Sequence, residues 1–512
     1  MLSRLAAWTL LAGAGFGLAA APAAARQDKE LPDRPAGLFE DVNKLRRDGN
    51  VDAKKAQPVF TRFAEYHAKL ISSPAVYRAG LDFRPDPKVP SLDKIVDDLT
   101  GRIAVPEIGS RTGTEQVEYI KGLGAALDAA LVKVIDQQDA DPIVRINAAR
   151  LLAVAARSGA PAHYPSVTRL IADRKTPPEV KFYILKAADG LLAAYDPAAS
   201  ILDQQTKEAL YQSRKHSAPL ADVTKLVKEV EQAVLNPAVL LGVEDKDKAF
   251  SDIRKVPEDQ RAVVQYLRRQ AIRALAQVRS PSIESADGTV YPAFTLARIT
   301  LGDPALVLPP YTQRPAPPEL GKKEEVDSWL ALENARQRAA AGRRAAEAAE
   351  ATLGLCNMWK NQEYAPDAAA YAVAAGLVAF ANPRIGNPTD KTIPWRSYAA
   401  RLHEAVRNWE LISRPGFDPQ RGAKSPFRGP APEPVRKVVA AATREDGLLP
   451  QMEKAGPDGA SAGTPTPGRD ELNNIRSELN KAAARPWLLF PGNPATSVDI
   501  QPAAAPPPPK KK

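Results

Sequence analysis

The stretch from Asp139 to Val154, D-A-D-P-I-V-R-I-N-A-A-R-L-L-A-V, constrains the fold more than any other part of the chain. Asp141 carries a short carboxylate that can accept the orphan amide protons of a first helical turn. Pro142 follows at the first helical position, where a missing N–H costs nothing. Behind them Val144, Ala148, Leu151, Leu152 and Ala155 recur at three- and four-residue steps, while Arg145, Asn147 and Arg150 point elsewhere. This predicts an amphipathic helix whose stripe must be covered by neighbours. A partner precedes it: Thr114 caps a run in which Val117, Ile120, Leu123, Leu127, Leu131 and Val134 form a second stripe, ending at the Asp139 turn.

The helix start recurs. Thr176-Pro177-Pro178-Glu179-Val180-Lys181 repeats the Asp141 to Arg145 signal with one residue more, and Thr176 with Glu179 has the form of a capping box. A third copy, Arg268 to Ala276, matches Arg145 to Ala153 at Arg145, Ala148, Arg150, Leu152 and Ala153. The separation of the first and third copies leaves room for roughly three units of about 40–47 residues. The D-x-D-P-x-V-R-x-x-A-A-x-L-L-A order resembles the second helix of a HEAT repeat, a helix-turn-helix unit related to armadillo repeats that stacks into a solenoid. The resemblance is centred on residues 139–155. It implies that Asp139, Asp141, Arg145, Ala148 and Leu152 serve stacking, with Asp139 and Arg145 paired along the stack. Lys175 and Ala262 stand where the second and third copies would need the acid, which breaks such a ladder.

Around this core the sequence divides as follows. Residues 26–57 are polar and punctuated by Pro32, Pro35 and Gly49, which predicts an arm outside the core with at most one short helix. From Pro58, Phe60, Phe63, Tyr66 and Leu70 fall at helical spacing, and a helical repeat region is expected over 58–280. The prolines between Pro304 and Pro318 predict a surface crossing over 281–323, separating a second helical block at 324–413. In that block Trp395, Ala399, Leu402, Val406 and Trp409 alternate four and three apart, so both tryptophans are expected in the core. Pro, Gly, Ser and Ala dominate 414–512, which predicts a largely disordered tail. One exception is a short helix near 470–485 with Leu472, Ile475 and Leu479 on one side. Trp487, Leu488, Leu489 and Phe490 follow as an apolar cluster. These seven are candidates either to cap the solenoid or to dock on a partner. The fold class expected is all-α, an irregular α-solenoid of helical pairs with a disordered Pro-rich C-terminal tail.

Arg4, the apolar run Leu5 to Leu18 and Ala23-Ala24-Ala25 have the form of a secretory signal over residues 1–25. The mature chain is therefore expected in the periplasm or outside the cell, with no other stretch able to span a bilayer. The sole cysteine, Cys356, forbids an intrachain disulfide and lies among Leu353, Leu355 and Trp359, as a buried small side chain would. Net charge is +10 with both signs interspersed, which allows attraction to an acidic envelope polymer but marks no nucleic-acid groove.

Neither H-E-x-x-H, C-x-x-C, a Walker A loop nor G-x-S-x-G occurs. His67, His163, His216 and His403 are scattered, and His403-Glu404 lacks a second ligand at Arg407. No catalytic, cofactor-binding or metal-ligating set is expected. The sequence points to an exported helical scaffold binding another macromolecule, a protein above all, on its concave face. The alternatives are an enzyme whose catalytic groups come from separate helices, and a cationic module adhering to an acidic envelope polymer. Cleavage is expected after Ala25, so N-terminal sequencing of the exported protein should begin at Arg26; recovery of an intact Met1 would refute the signal.

Overall fold

The structure, a computed structural model, describes residues 31–48, 51–79, 89–103, 113–195, 219–243, 252–286, 288–309, 311, 317, 322–358, 365–387, 391–417, 425, 427–454, 466–482, 487–489 and 497–498. The signal and its cleavage site lie outside them, as do Phe490, His216 and the final prolines.

Almost all described structure is helical. In chain order the helices are α1 Leu38–Asp48, α2 Ala53–Ser72, α3 Pro74–Ala79, α4 Leu92–Ile103, α5 Gly113–Ile135, α6 Pro142–Ala155, α7 His163–Ala172, α8 Pro178–Tyr195, α9 Leu220–Leu235, α10 Pro237–Leu241, α11 Arg261–Leu275, α12 Pro292–Thr300, α13 Lys323–Asn357, α14 Pro366–Gly386, α15 Trp395–Ile412, α16 Glu433–Thr443, α17 Leu448–Lys454 and α18 Thr466–Ala482. Two short antiparallel pairs, β1 Ile283–Ser285 with β2 Gly288–Val290 and β3 Trp487–Leu488 with β4 Ser497–Val498, are accessory.

These helices form an irregular two-layered solenoid. In one layer α2, α5, α7, α9, α12 and α14 follow one another; in the other α4, α6, α8, α11, α13, α15 and α17 do. Cross-layer packing joins α5 to α6, α7 to α8, α9 to α11 and α12 to α13. Each pair buries its stripe between its own two helices and the pairs on either side. Asp141 caps α6 as expected, its carboxylate accepting from the Ile143 N–H at 2.9 Å. Val144, Ala148, Leu151, Leu152 and Ala155 are all buried, and Asn147 is buried with them, because α6 is covered from more than one side. Trp395, Trp409 and Cys356 lie in the core.

Several expectations need correction. The arm expected at 26–57 contributes to the core where it is described: α1 buries Leu38 and Val42, and Phe39 packs edge-on against Phe63 (5.5 Å) and Tyr66 (5.6 Å). Asp98 anchors the same corner. Burial opposes its ionisation, but hydrogen bonds from His67 and Arg102 outweigh that and hold the carboxyl at about 2. Next, α2 begins at Ala53, capped by Asp52, and continues through Pro58. The 281–323 crossing does not separate two blocks, because α12 lies within it and α11 packs directly on α13. Gly354 permits this approach: a Cβ there would meet Leu296 Cδ1 at 2.6 Å and Ala276 Cα at 2.8 Å. Finally, α16 and α17 occupy part of the tail, burying Val435, Val438, Val439, Ala442, Leu448 and Leu449. Prolines at or near the starts of α12 and α16 support a first turn there.

By length and composition α14 is apolar enough to cross a membrane, contrary to the expectation that no such stretch exists after the first. Its apolar residues are packed against α12, α13, α16 and α18. At the solenoid's defining pair, Ala148→Glu would place a charge in a fully buried seam and should cost about 3–5 kcal/mol. Thermal unfolding reads this directly, and wild-type melting would mean that the α6 face is misassigned.

Candidate functional site

Aligning the three helix starts puts Arg145, Lys181 and Arg268 at one position. In the structure all three do the same work. Arg145 Nε donates to the Ile135 carbonyl at 2.9 Å, at the end of α5, and Arg268 Nε donates to the Val234 carbonyl at 2.9 Å, near the end of α9. Lys181 Nζ donates to the Val239 carbonyl in α10. The last carbonyls of a helix lack intrahelical partners and carry partial negative charge, so a cation satisfies them twice over. Burial pushes the Lys181 ammonium down to about 8. Asp139 and Arg145 form no ion pair among the described residues, which corrects the expected ladder: the arginine is committed to the carbonyl.

Five residues further on, the same alignment sets Arg150, Lys186 and Arg273 in register. They stand on α6, α8 and α11, which pack side by side, so the repeat carries a ladder of like charges across neighbouring helices. Its ends are compensated: Arg150 Nη2 lies 2.7 Å from Asp93 Oδ1, and Arg273 Nε lies 3.3 Å from Asp189 Oδ2. Its centre is not. Among the described residues Lys186 has no carboxylate within ion-pair distance; its ammonium instead lies 4.5 Å from the Phe182 ring centroid and 5.4 Å from that of Tyr183. Burial, followed by the fields of Arg273, Arg150 and Arg157, pushes the Lys186 pKa down against the opposing pull of Asp189. Arg157, in the 3-10 turn after α6, reaches this cluster because Gly190 has no side chain; a Cβ there would lie 3.1 Å from Arg157 Cγ.

Aromatic rings border the ladder. Phe182 on α8 and Tyr266 on α11 stack at 4.6 Å with their planes 21° apart, and Tyr266 is 39% exposed. Arg269 lies 5.5 Å from the Tyr266 ring centroid. The acids of this region serve the stack itself. Arg268, only 2% exposed, donates from Nη1 to Glu347 Oε2 at 2.8 Å, joining α11 to α13. Glu350 accepts both Nη groups of Arg401 (3.2 and 3.1 Å) and the Tyr398 hydroxyl (3.0 Å), joining α13 to α15. Burial drives the Asp189 and Glu347 carboxyls upward against the pull of Arg273 and Arg268. Burial, reinforced by Glu350, pushes the Tyr398 hydroxyl up to about 12.

Other polar clusters clamp helices together. Asp128 Oδ1 lies 3.0 Å from His163 Nδ1, and its Oδ2 accepts from the Ser166 hydroxyl at 2.6 Å, tying α5 to α7. The serine faces the carboxylate rather than the imidazole, so it is not arranged as a base-activated nucleophile. His403 Nδ1 lies 2.7 Å from Glu453. Among the described residues no three His, Cys, Asp or Glu side chains converge as a metal site would require.

Of the residues named from sequence, Ala148 and Leu152 lie in the seam and Asp141 caps it. In the C-terminal segment Leu472, Ile475 and Leu489 are buried and Leu479 is partly buried, with α18 packed on α14 and α16. The Leu489 carbonyl accepts from the Ala365 N–H at 2.8 Å, so this segment is engaged within the chain. Trp487 and Leu488 belong to β3. Sequence reading did not single out Lys186, Arg157, Phe182 or Tyr266. Carrying the 145, 181 and 268 alignment five positions further would have found the ladder.

Removing one member of the buried Arg268–Glu347 pair strands the other. Arg268→Met should therefore cost about 3–5 kcal/mol, while adding Glu347→Leu should restore part of it. A double variant melting below both single variants would refute this account. No family model matches the chain, and neither a curated protein nor a solved structure matches it.

Proposed function

We propose that this protein is an exported scaffold of HEAT-like helical pairs that binds another macromolecule along the exposed face of α6, α8 and α11. The supporting observation is the ladder Arg150, Lys186 and Arg273, whose central cation lacks a carboxylate partner among the described residues. Like charges set side by side cost free energy unless something opposes them. A stack needing only helix packing could place neutral polar residues at these positions, of which Arg273 is exposed and Arg150 and Lys186 are half-buried. The bordering rings of Phe182 and Tyr266 add an apolar surface of the kind that anchors partners. The partner is a protein in this reading. Adhesion to an acidic envelope polymer draws on the same positive face and is the second reading, favoured by the net charge of +10.

The test is capture from the protein's own cell envelope at low and high salt, using the wild type and a variant carrying Lys186→Glu and Arg269→Glu. Retained material should be lost with both substitutions together and weakened by salt, because exposed charges are screened over about 8–10 Å at physiological ionic strength. Retention unaffected by the charge reversal would overturn the assignment of this face.

A further inference from the structure

The N-terminal half of α13 has one side against the fold and the rest in solvent. Val326, Trp329, Glu333, Arg336 and Ala340 recur at three- and four-residue steps and form the inner side, where Arg336 pairs with Glu258 and lies 4.4 Å from the Tyr311 ring centroid. A second stripe, Ser328, Leu332, Ala335 and Ala339, alternates four and three apart, the spacing of a seam between helices. Nothing in the fold buries it. Ser328, Leu332 and Ala335 are exposed, and Leu332, at 66%, is the most exposed large hydrophobic side chain among the described residues. Beside the stripe Glu324, Ala331 and Arg338 stand seven residues apart, so they share one exposed flank. Neither charge has an opposite one within helical reach: Asp327 and Ser328 follow Glu324, while Asn334, Ala335, Ala341 and Gly342 surround Arg338.

We propose that this face is where two copies of the chain meet, residues 323–339 of each packing antiparallel about a twofold axis at Ala331. A twofold contact is self-complementary, so whatever residue i of one copy meets, its own copy offers in return. The flank has that property in one direction only. Antiparallel about Ala331, Glu324 of either copy faces Arg338 of the other and Ala331 meets itself, whereas a parallel pair sets like charges side by side. The small residues of the stripe let the helices approach, and Leu332 of either copy then packs beside Ala335 of the other. The length available agrees with this centre. α13 begins at Lys323, and past Ala339 its outer side is closed, because Gly342 lies against Thr392 and Ile393. The midpoint of the open stretch is Ala331, the neutral centre of the charged flank.

Sedimentation velocity of the full mature chain over a range of concentrations should show a monomer–dimer equilibrium that weakens as salt rises, because the flanking charges are exposed. Leu332→Glu should weaken dimerisation by about tenfold or more while melting of the monomer stays unchanged, since its side chain is mostly in solvent there. Glu324→Arg and Arg338→Glu should each weaken it, and the two together should restore it, a recovery that requires these positions to face each other. Ala331→Cys should couple to its own copy through a short thiol-reactive linker. Lys323→Cys should not, because in the antiparallel pair its two copies lie about 24 Å apart along the helices. The native Cys356 is buried and does not compete. A chain that stays monomeric at every concentration would overturn the inference and leave the face to a helix of another protein. A dimer indifferent to Leu332→Glu, or one coupled through Lys323→Cys, would overturn it as well. The envelope capture that tests Lys186 and Arg269 is independent of these outcomes, so the scaffold reading and this one can fail separately.

Discussion

The stack depends on the satisfaction of carbonyls where paired helices meet. A helix of the first layer ends with unpaired acceptors, and the next pair covers that end, excluding water. Arg145 and Arg268 close these ends by reaching back from the second-layer helix to Ile135 and Val234. Lys181 does so through Val239. Each contact fixes the second-layer helix against its neighbour by one directional bond, where apolar packing alone would tolerate sliding. Arg268 also meets Glu347 on α13, so one buried side chain sets the position of three helices. This explains why a guanidinium is retained at a site almost closed to solvent. Its donors point in several directions in a fixed plane, which a shorter or single-headed cation could not reproduce.

Ion pairs nearer the C-terminal half repeat this logic with acids on α13. Glu347 and Glu350 are one helical step apart and point toward different neighbours, the first to α11 and the second to α15. Both are buried and both hold arginines, so α13 acts as a central element to which flanking helices are keyed. Its glycine at 354 allows the same helix to approach Ala276 and Leu296 closely. The polar keys lie toward one part of α13 and the close packing toward another. Position along its length is thereby set by bonds, and distance by the absence of a side chain.

Much of the architecture was legible because its signals are local. The Asp141 cap, the Ala148 and Leu152 seam, and the Trp395 to Trp409 stripe require only short-range periodicity, and each is present as read. The differences arise where a local signal has more than one structural use. A proline cluster reads as punctuation between elements, yet Pro292 and Pro434 sit at the first turn of α12 and α16 and leave no needed bond unmade. The polar composition of 26–57 likewise concealed Leu38, Phe39 and Val42, whose burial depends on α2 and α4 across the fold. Resemblance to a repeat family suggested an acid–base pair at Asp139 and Arg145. The local geometry instead gave the arginine a nearer acceptor in Ile135.

The ladder of Arg150, Lys186 and Arg273 differs in kind from the buried keys. Each key has its acceptor inside the fold, whereas the ladder's central ammonium lies against rings, in the opposing fields of neighbouring arginines and of Asp189. Packing does not require a cation there, because the aliphatic stem of Lys186 could be replaced by uncharged residues of similar length. The two outer members carry acids that lower the cost of bringing three positive charges together, and those acids come from α4 and α8, on different sides. Asp189 stands on α8 three residues from Lys186 and pairs with Arg273, so one acid serves two rungs while the Lys186 ammonium rests against the rings of Phe182 and Tyr183. A repeat that reuses one position for a cation on successive helices lets the regularity of its scaffold set the arrangement of its charge, while the burial of each rung differs with what packs beside it.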